Sequence, residues 1–484
     1  MMEYVWITLA ILLGAVVLLF AIALVHTFAL RTKTGLRPVS TVSAETKKAY
    51  AEGLGKMVRV VTIAQPGVEN PEPFRALQRT MDEIFPHVAK TVEKVLFPAG
   101  SLLYRWKGKN PEVAPIVFMA HQDVVPAPAE GWKRPPFSGV YEEGEVHGRG
   151  TFDTKGTLFA FFQAAEELIA EGFRPEGDIY LASSCDEEIM GEGARQTVQW
   201  LKAKGIRPAL VLDEGGAIVD GVLPTVSTPM ALLGVLEKGY VDLRIIARSH
   251  GGHSSTPPKN TPIARLSGFV VELERHSPMK AKMIPEVERM FAAAAPSMGF
   301  GFRFLFGNLW LFRPLVTWLL PKINSYGRAL MSTTVAFTRI QGSEANNVIP
   351  SEAALVVNMR PHPIQDADAS IDAIRKVAKK FDLEVEIIKG TACSPVVDAK
   401  SPAFKKLVAS IQTVFPDVLV SPYVILGGTD ARHYQDICNA TVRFSPVRVT
   451  NDDLKKMHGL NESIGIDTLA EAVGFYRHLM KETF

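Results

Sequence analysis

The chain has 484 residues, of which 47% are hydrophobic and 21% charged, enough to bury a substantial core in two folded units and too apolar for disorder. The 53 basic residues against 51 acidic ones leave a net charge of +2, which offers no field to nucleic acid or any other polyanion. Three cysteines, Cys185, Cys393 and Cys438, are too few and too scattered for a disulfide framework or a thiolate metal site.

The first element in the chain is apolar. Val5 to Val25 carries no charged side chain and, as a helix, spans the roughly 30 Å of bilayer hydrocarbon, so residues 5–30 read as a single-pass transmembrane anchor. Ala21-Ile-Ala23 resembles a leader cleavage site. Against cleavage, Glu3 and no Lys or Arg precede the apolar run, and the run is longer than a usual leader core. Arg31, Lys33 and Arg37 follow it and by the positive-inside rule place the remainder in the cytoplasm.

After a polar linker, a helix from about Ala44 opens an alternation of strands and helices that runs through Gly216, the pattern of an α/β domain over residues 44–237. The apolar run Pro115–Ala120 delivers His121 and Asp123 two residues apart, so that on a strand they share a face. Gly148-Arg-Gly-Thr-Phe-Asp-Thr-Lys-Gly156 sets Asp153 in a tight turn before a helix over Thr157 to Glu171. The strand Asp178–Cys185 runs into Asp186-Glu187-Glu188, and Ala209–Leu212 runs into Asp213-Glu214-Gly-Gly216. A further histidine, His458, precedes the last helix, expected over Thr468 to Lys481. Two histidines and several carboxylates at strand ends suit a pair of zinc-type ions sharing one bridging carboxylate, with cobalt or manganese as alternatives. Neighbouring side chains point different ways, so Glu188 can ligate while Glu187 serves as general base.

Between these motifs the pattern changes. Tyr240–Ala247 alternates like a half-exposed strand, Gly251-Gly-His253 turns, Thr261 to Glu274 reads as a helix, and strands are expected over Ser332–Gln341 and Ala353–Met359. A helix over Asp368–Phe381 and a strand over Leu383–Lys389 fit either unit. The stretch from Pro278 to Leu330 is unusually apolar and aromatic, including Phe300–Phe306, Leu309–Phe312 and Leu315–Leu320. It suits extra core of this second unit or a surface between two chains; equally it suits a wall for an acyl chain or a patch facing a membrane.

The order His-x-Asp, Gly-Arg-Gly-x-x-Asp-x-Lys, Asp-Glu-Glu, Asp-Glu-Gly-Gly, Gly-His-Ser-Ser, Asn-Val-Ile-Pro and His-Gly-x-Asn-Glu, running from about Lys47 to the C-terminus, resembles the di-zinc amidohydrolase and exopeptidase family. That family includes aminoacylase, succinyl-diaminopimelate desuccinylase and carboxypeptidase S, and the resemblance is strongest to its fatty-acyl-amino-acid and carboxypeptidase S branch. It implies a catalytic domain with a central mixed sheet and helices on both faces (residues 44–237 and 391–484), with a two-layer α/β lid inserted over 238–390. His121 and Asp213 would bind one metal, Glu188 and His458 the other, with Asp153 as bridge. Asp123 would orient His121, and Glu187 would be the base. His253 on the lid would stabilise the oxyanion, and Asn347, Arg360, Gly428 and Thr429 would hold the substrate. A cis peptide after Asp153 is also implied, as is pairing of two chains through the lid. The implied activity is cleavage of an amide bond next to a free carboxylate, in an acyl-amino acid or a short peptide. Relatives in this branch often act in secretory or vacuolar space, which opposes the cytoplasmic placement by charge. A non-catalytic binding protein on the same fold would lack a ligand or the base, and none is missing.

Overall fold

The computed structural model describes every residue except Met1, Lys33, Ser40, Glu69, Leu223 and Pro224. Lys33, one of the basic residues flanking the first helix, therefore lies outside the described residues. A ten-stranded mixed sheet forms the larger domain. At its centre Ile179–Ser183, Ile116–Met119, Leu210–Asp213 and Thr441–Arg443 run parallel in that order. Every residue of Ile116–Met119 and Leu210–Asp213 is buried, as in a sheet covered on both faces by helices. Lys155–Ala170 packs along the C-terminal helix Ile466–Met480, with Ala44–Arg59 against both. Phe118 from the sheet meets Phe161 and Tyr476 there, at ring separations of 6.3 and 5.3 Å.

The parallel centre positions the chemistry. Parallel strands end on the same edge, so the loops after Met119, Ser183 and Asp213 open together, as ligand-binding loops do in sheets of this kind. The N-terminal halves of the turns that follow carry the histidine and the acids singled out above.

The lid is a separate four-stranded antiparallel sheet in the order Thr334–Gln341, Glu352–Arg360, Tyr240–Arg248, Glu384–Thr391. Pro262–Arg275 and Ala367–Lys379 cover one face, packing Leu266, Phe269, Ile371 and Ile374 against Leu243, Ile245, Leu355 and Val357. Two layers suffice because Tyr240–Arg248 alternates between buried and half-buried residues over most of its length. Helix Asp368–Phe381 and strand Leu383–Lys389, which fitted either unit on sequence, are both in this lid.

The aromatic stretch does not join it. Its helices Pro285–Ala294, Phe300–Gly307, Leu309–Ile323 and Ser325–Met331 contribute Val287, Met290, Phe306 and Leu309 to the core of the larger domain, and Pro285–Ala294 lies against the strand Leu419–Ile425. The reason is geometric: Leu419–Ile425 lies off the main strand order of the sheet, pairing with Met230–Glu237, and needs a cover that the lid does not reach.

Behind the open edge lies a fully buried ion pair. Glu237 accepts from Arg443 Nε at 2.6 Å, from Arg432 Nε and Nη2 at 2.9 and 2.8 Å, and from Thr429 Oγ1 at 2.9 Å. Glu237 and Arg443 are both 0% exposed. Removing one partner strands the other charge in a low-dielectric interior, so Glu237→Ala should destabilise the protein by about 3–5 kcal/mol. The midpoint of urea unfolding, compared with Glu237→Gln, measures this.

Candidate dinuclear metal centre

His121 leaves the strand end with its side chain 2% exposed. Its Nδ1 lies 2.9 Å from the Asp123 carbonyl, which can only accept, so Nδ1 carries a proton and Nε2 is turned toward the Asp153 carboxylate. Asp123 braces more than the ring. Its carboxylate, 3.4 Å from His121 Nδ1, accepts the Glu187 and Glu188 amides at 3.1 and 3.0 Å and so fixes the acidic loop relative to the histidine.

Asp153 stands between the two histidines. Its Oδ1 is 3.0 Å from His121 Nε2 and its Oδ2 is 2.9 Å from His458 Nε2, so each carboxylate oxygen faces a different imidazole. The peptide bond Asp153-Thr154 is cis. The turn is held from behind by Glu462, whose Oε1 accepts the Phe152 and Asp153 amides at 2.9 and 3.1 Å, while Oε2 accepts from Arg149 at 2.5 Å. Glu462 and Arg149 therefore position the bridging candidate. Both stood in the quoted motifs, but nothing in the sequence revealed that they meet.

His458 takes a positive φ of 56° and also brings Nε2 to 3.2 Å from Glu188 Oε1. Expectation and structure differ at the fourth carboxylate. Asp213, expected beside His121, instead accepts the Ala431 amide at 2.8 Å, whereas Glu214 Oε1 lies 3.5 Å from His121 Nε2. The cause is local: Asp213 is the last strand residue, in register with Arg443, and the following residue turns into the cleft. The Asp-Glu pair is the signal that made Glu214 findable, although the sequence does not say which of the two faces inward.

Two donor groups result, His121 with Glu187 and Glu214, and His121 with Asp153 and Glu188. Their electrostatics calls for cations. Burial drives the Glu187 carboxyl well above the usual range, a shift opposed by His121 and reinforced by Asp430, Asp123 and Glu188. Burial likewise raises Glu214, with Asp153, Glu187 and Asp213 adding to it. Asp430 is pushed up to about 8 by burial. Burial also pushes Asp153 upward, but hydrogen bonds from the two histidines outweigh it and leave this carboxyl below the usual range. A nest of buried acids with two imidazoles and oxygen-rich donor sets fits two small divalent cations, which supply the charge that protons must otherwise supply.

The remaining expected residues are more dispersed. His253 and Asn347 sit together on a lid ribbon pairing Gly252–His253 with Val348–Ile349, where the Ser254 amide donates to the Asn347 carbonyl at 3.0 Å. His253 is exposed, with Nδ1 2.8 Å from Ser255 Oγ, and among the described residues no hydrogen bond or ion pair joins it to the metal-site side chains. Arg360 ends a lid strand and stacks on Tyr240 at 4.7 Å. Gly428 and Thr429 belong to the loop gripped by Glu237: the Thr429 hydroxyl donates to Glu237, and a Cβ on Gly428 would lie 2.8 Å from the Arg432 guanidinium.

The comparisons with known proteins agree with this geometry. The model of peptidase family M20/M25/M40 matches residues 117–482. The chain is 33% identical over 488 residues to the N-fatty-acyl-amino acid synthase/hydrolase PM20D1 of Xenopus tropicalis, covering 98% of this chain and 94% of that protein. It is 35% identical over 404 residues to a probable carboxypeptidase S-like 2 of Dictyostelium discoideum, covering 82% and 77%. Among solved structures it resembles the M20 family metallo-carboxypeptidase Sso-CP2 of Sulfolobus solfataricus, with a TM-score of 0.66 at 18% identity, over 89% of this chain and 98% of that one.

Two outcomes test the site. Glu214→Ala should weaken cation binding by at least about 10-fold, whereas Asp213→Asn should keep the cation content of the unaltered protein, as elemental analysis of the purified variants would register. Hydrogen bonds donated to Asp153 and Glu188 raise the His458 imidazole from 6.5 to about 10. Its folded pKa is raised, so in cation-free protein its contribution to stability is complete below pH 6.5 and lost as pH rises through 10. Cation binding needs the neutral ring and should strengthen over the same interval. Urea midpoints of chelator-treated protein and of His458→Gln should converge as pH approaches 10.

With the family match spanning most of the chain and the relatives aligned over 98% and 82% of it, the chain belongs to peptidase family M20/M25/M40 and is a metal-dependent amide hydrolase.

Proposed function

We propose that the enzyme is a membrane-anchored di-zinc hydrolase of amide bonds adjacent to a free carboxylate, acting on N-fatty-acyl amino acids. The observation that carries the chemistry is Asp153 with one oxygen toward each imidazole and the half-buried Glu187 in the same donor cluster. In this reading His121 and Glu214 would hold one ion and Glu188 and His458 the other, Asp153 would be shared between them, and cobalt or manganese could replace zinc. Bound cations supply the positive charge that polarises a carbonyl and acidifies water. Asp123 keeps the His121 proton on Nδ1. Glu187, made basic by its surroundings, takes a proton from water as the oxygen attacks the carbonyl carbon, then passes it to the amide nitrogen as the C–N bond breaks. The products are a fatty acid and an amino acid, and the same groups act in reverse for condensation.

Arg360 suits the substrate carboxylate through its two parallel donors, with Asn347, Gly428 and Thr429 lining the same binding region. His253 is the oxyanion donor, reaching the cleft on lid closure or from a partner chain paired through the lid. The acyl preference is supported by the synthase/hydrolase relative over almost the whole chain and by the aromatic helices lying beside the N-terminal apolar helix. The second reading is a carboxypeptidase, favoured by the Dictyostelium and Sulfolobus similarities. The N-terminal helix, 28 residues long with almost every side chain exposed, supports a retained single-pass anchor.

Glu187→Gln should keep two cations while turnover falls by roughly 10²–10⁴. Loss of a cation instead would make Glu187 a ligand, as its place in a donor group allows. In the unaltered enzyme, kcat/KM should climb with acyl length, each methylene moved out of water contributing about 0.8 kcal/mol until no further methylene is buried. A flat profile together with good dipeptide turnover decides for the carboxypeptidase.

A further inference from the structure

Asn308, fully buried between helices Phe300–Gly307 and Leu309–Ile323, is the hub of a contact that crosses almost 300 residues of sequence. Its Nδ2 donates to the Ala23 carbonyl at 3.1 Å, to Thr27 Oγ1 at 2.9 Å and to the Phe304 carbonyl at 2.8 Å. Its Oδ1 faces His26 Nδ1 at 3.0 Å and Trp310 Nε1 at 3.2 Å. Three of these five partners lie on the N-terminal helix. Ala23 and Thr27, the two buried residues of that helix, are both among them.

Apolar packing surrounds the hub. Phe20 lies 5.8 Å from Phe312 and 6.2 Å from Phe304, and Phe28 lies 5.6 Å from Phe300. A Cβ on Gly307 would come within 2.4 Å of Leu30, the close approach that small residues permit between membrane helices. The contact continues past the helix: Thr32 Oγ meets Ser297 Oγ at 3.0 Å, the Gly35 amide donates to the Pro416 carbonyl at 2.6 Å, and Arg37 pairs with Glu471 at 2.8 Å.

A removable leader has no use for such an interlock, because its loss would leave a buried amide without most of its partners. On the other side, the same two helices turn large apolar groups outward, with Phe302 48%, Trp310 53% and Trp318 60% exposed. Lys322 sits 3.9 Å over the Trp318 ring, the pairing of aromatic and cation that suits a membrane–water boundary. The depth also agrees. Val5–Val25 fills the roughly 30 Å of hydrocarbon, so the Phe20 contact lies about 8 Å inside its edge, within the 5–10 Å reached by interfacial helices.

We infer that the N-terminal helix and the helices of residues 300–323 form one bilayer-embedded unit, the latter two lying in the headgroup–acyl boundary on the catalytic side with Phe302 and Trp318 against lipid. This rests on the retained-anchor reading above. The surface thus takes a lipid bilayer as its partner, and an acyl chain already dissolved in that leaflet meets the enzyme from the side.

The test uses the full-length protein in phosphatidylcholine/phosphatidylglycerol nanodiscs, with the half-buried Cys393 changed to serine and single nitroxide labels at Phe302→Cys, Trp318→Cys and, as a control on the exposed lid strand, Ile388→Cys. Labels at 302 and 318 should relax preferentially with oxygen and the label at 388 with a water-soluble nickel chelate. Equal nickel access at all three sites overturns the embedded unit and leaves the anchor reading intact. The intact mass of the protein extracted from membranes separates the two: it should retain residues 2–29, and a chain lacking them overturns both.

Discussion

Everything in this enzyme's working edge depends on one carboxylate being shared between two imidazoles. Asp153 can face His121 and His458 at once only because three independent segments converge: the strand end that carries His121, the glycine-flanked turn pinned by Glu462, and the loop before the last helix. Each segment is tied to another by buried hydrogen bonds rather than by apolar contact. Apolar packing tolerates shifts of several tenths of an ångström; charge-assisted hydrogen bonds at these distances do not, and a metal site needs that intolerance.

The electrostatic cost of the arrangement explains its surroundings. Burial raises Glu187, Glu214 and Asp430 together, and mutual repulsion among carboxylates reinforces it. Such a cluster survives in a folded core only if charge balance comes from elsewhere. The two arginines around Glu237 give the neighbouring loop its own balance, so that the Gly427–Arg432 segment is fixed independently of what the metal site contains. Lys155 plays a comparable part: its ammonium donates to the Met57 and Val60 carbonyls at 3.1 and 2.7 Å, and burial lowers its pKa to about 7.

Much of this was legible in the chain because a metal site constrains residue type, spacing and strand end at once. His121, Asp123, Asp153, Glu187, Glu188 and His458 are all brought to one cleft. What was not legible falls into two kinds. The choice between Asp213 and Glu214 depends on where a strand stops, and both residues satisfy the same pattern. The destination of the aromatic stretch depends on which apolar surface it meets, and apolar side chains carry no address; Asn308 does, but a lone asparagine among Phe, Leu and Trp reads as a helix boundary until Ala23, His26 and Thr27 are seen around it. The α/β alternation of the larger domain and the change of pattern at Tyr240 were readable from strand and helix periodicity; the two-layer lid came only through the family resemblance, and the attachment of residues 283–331 to the larger domain was not readable at all.

The backbone crossings between lid and larger domain lie side by side. Lys238 donates to the Ala329 and Ser332 carbonyls, the Gly239 amide to Pro361, and the Cys393 thiol to Pro361, while Ala281 bridges Ser332. All four places where the chain passes between the bodies are thus gathered into one short neck. A body held this way has little freedom to slide, because sliding would break every one of these bonds, but it can swing about the neck with small changes in a few backbone dihedrals. Any rotation about this neck carries His253 and Asn347 together, because the ribbon they share fixes their spacing.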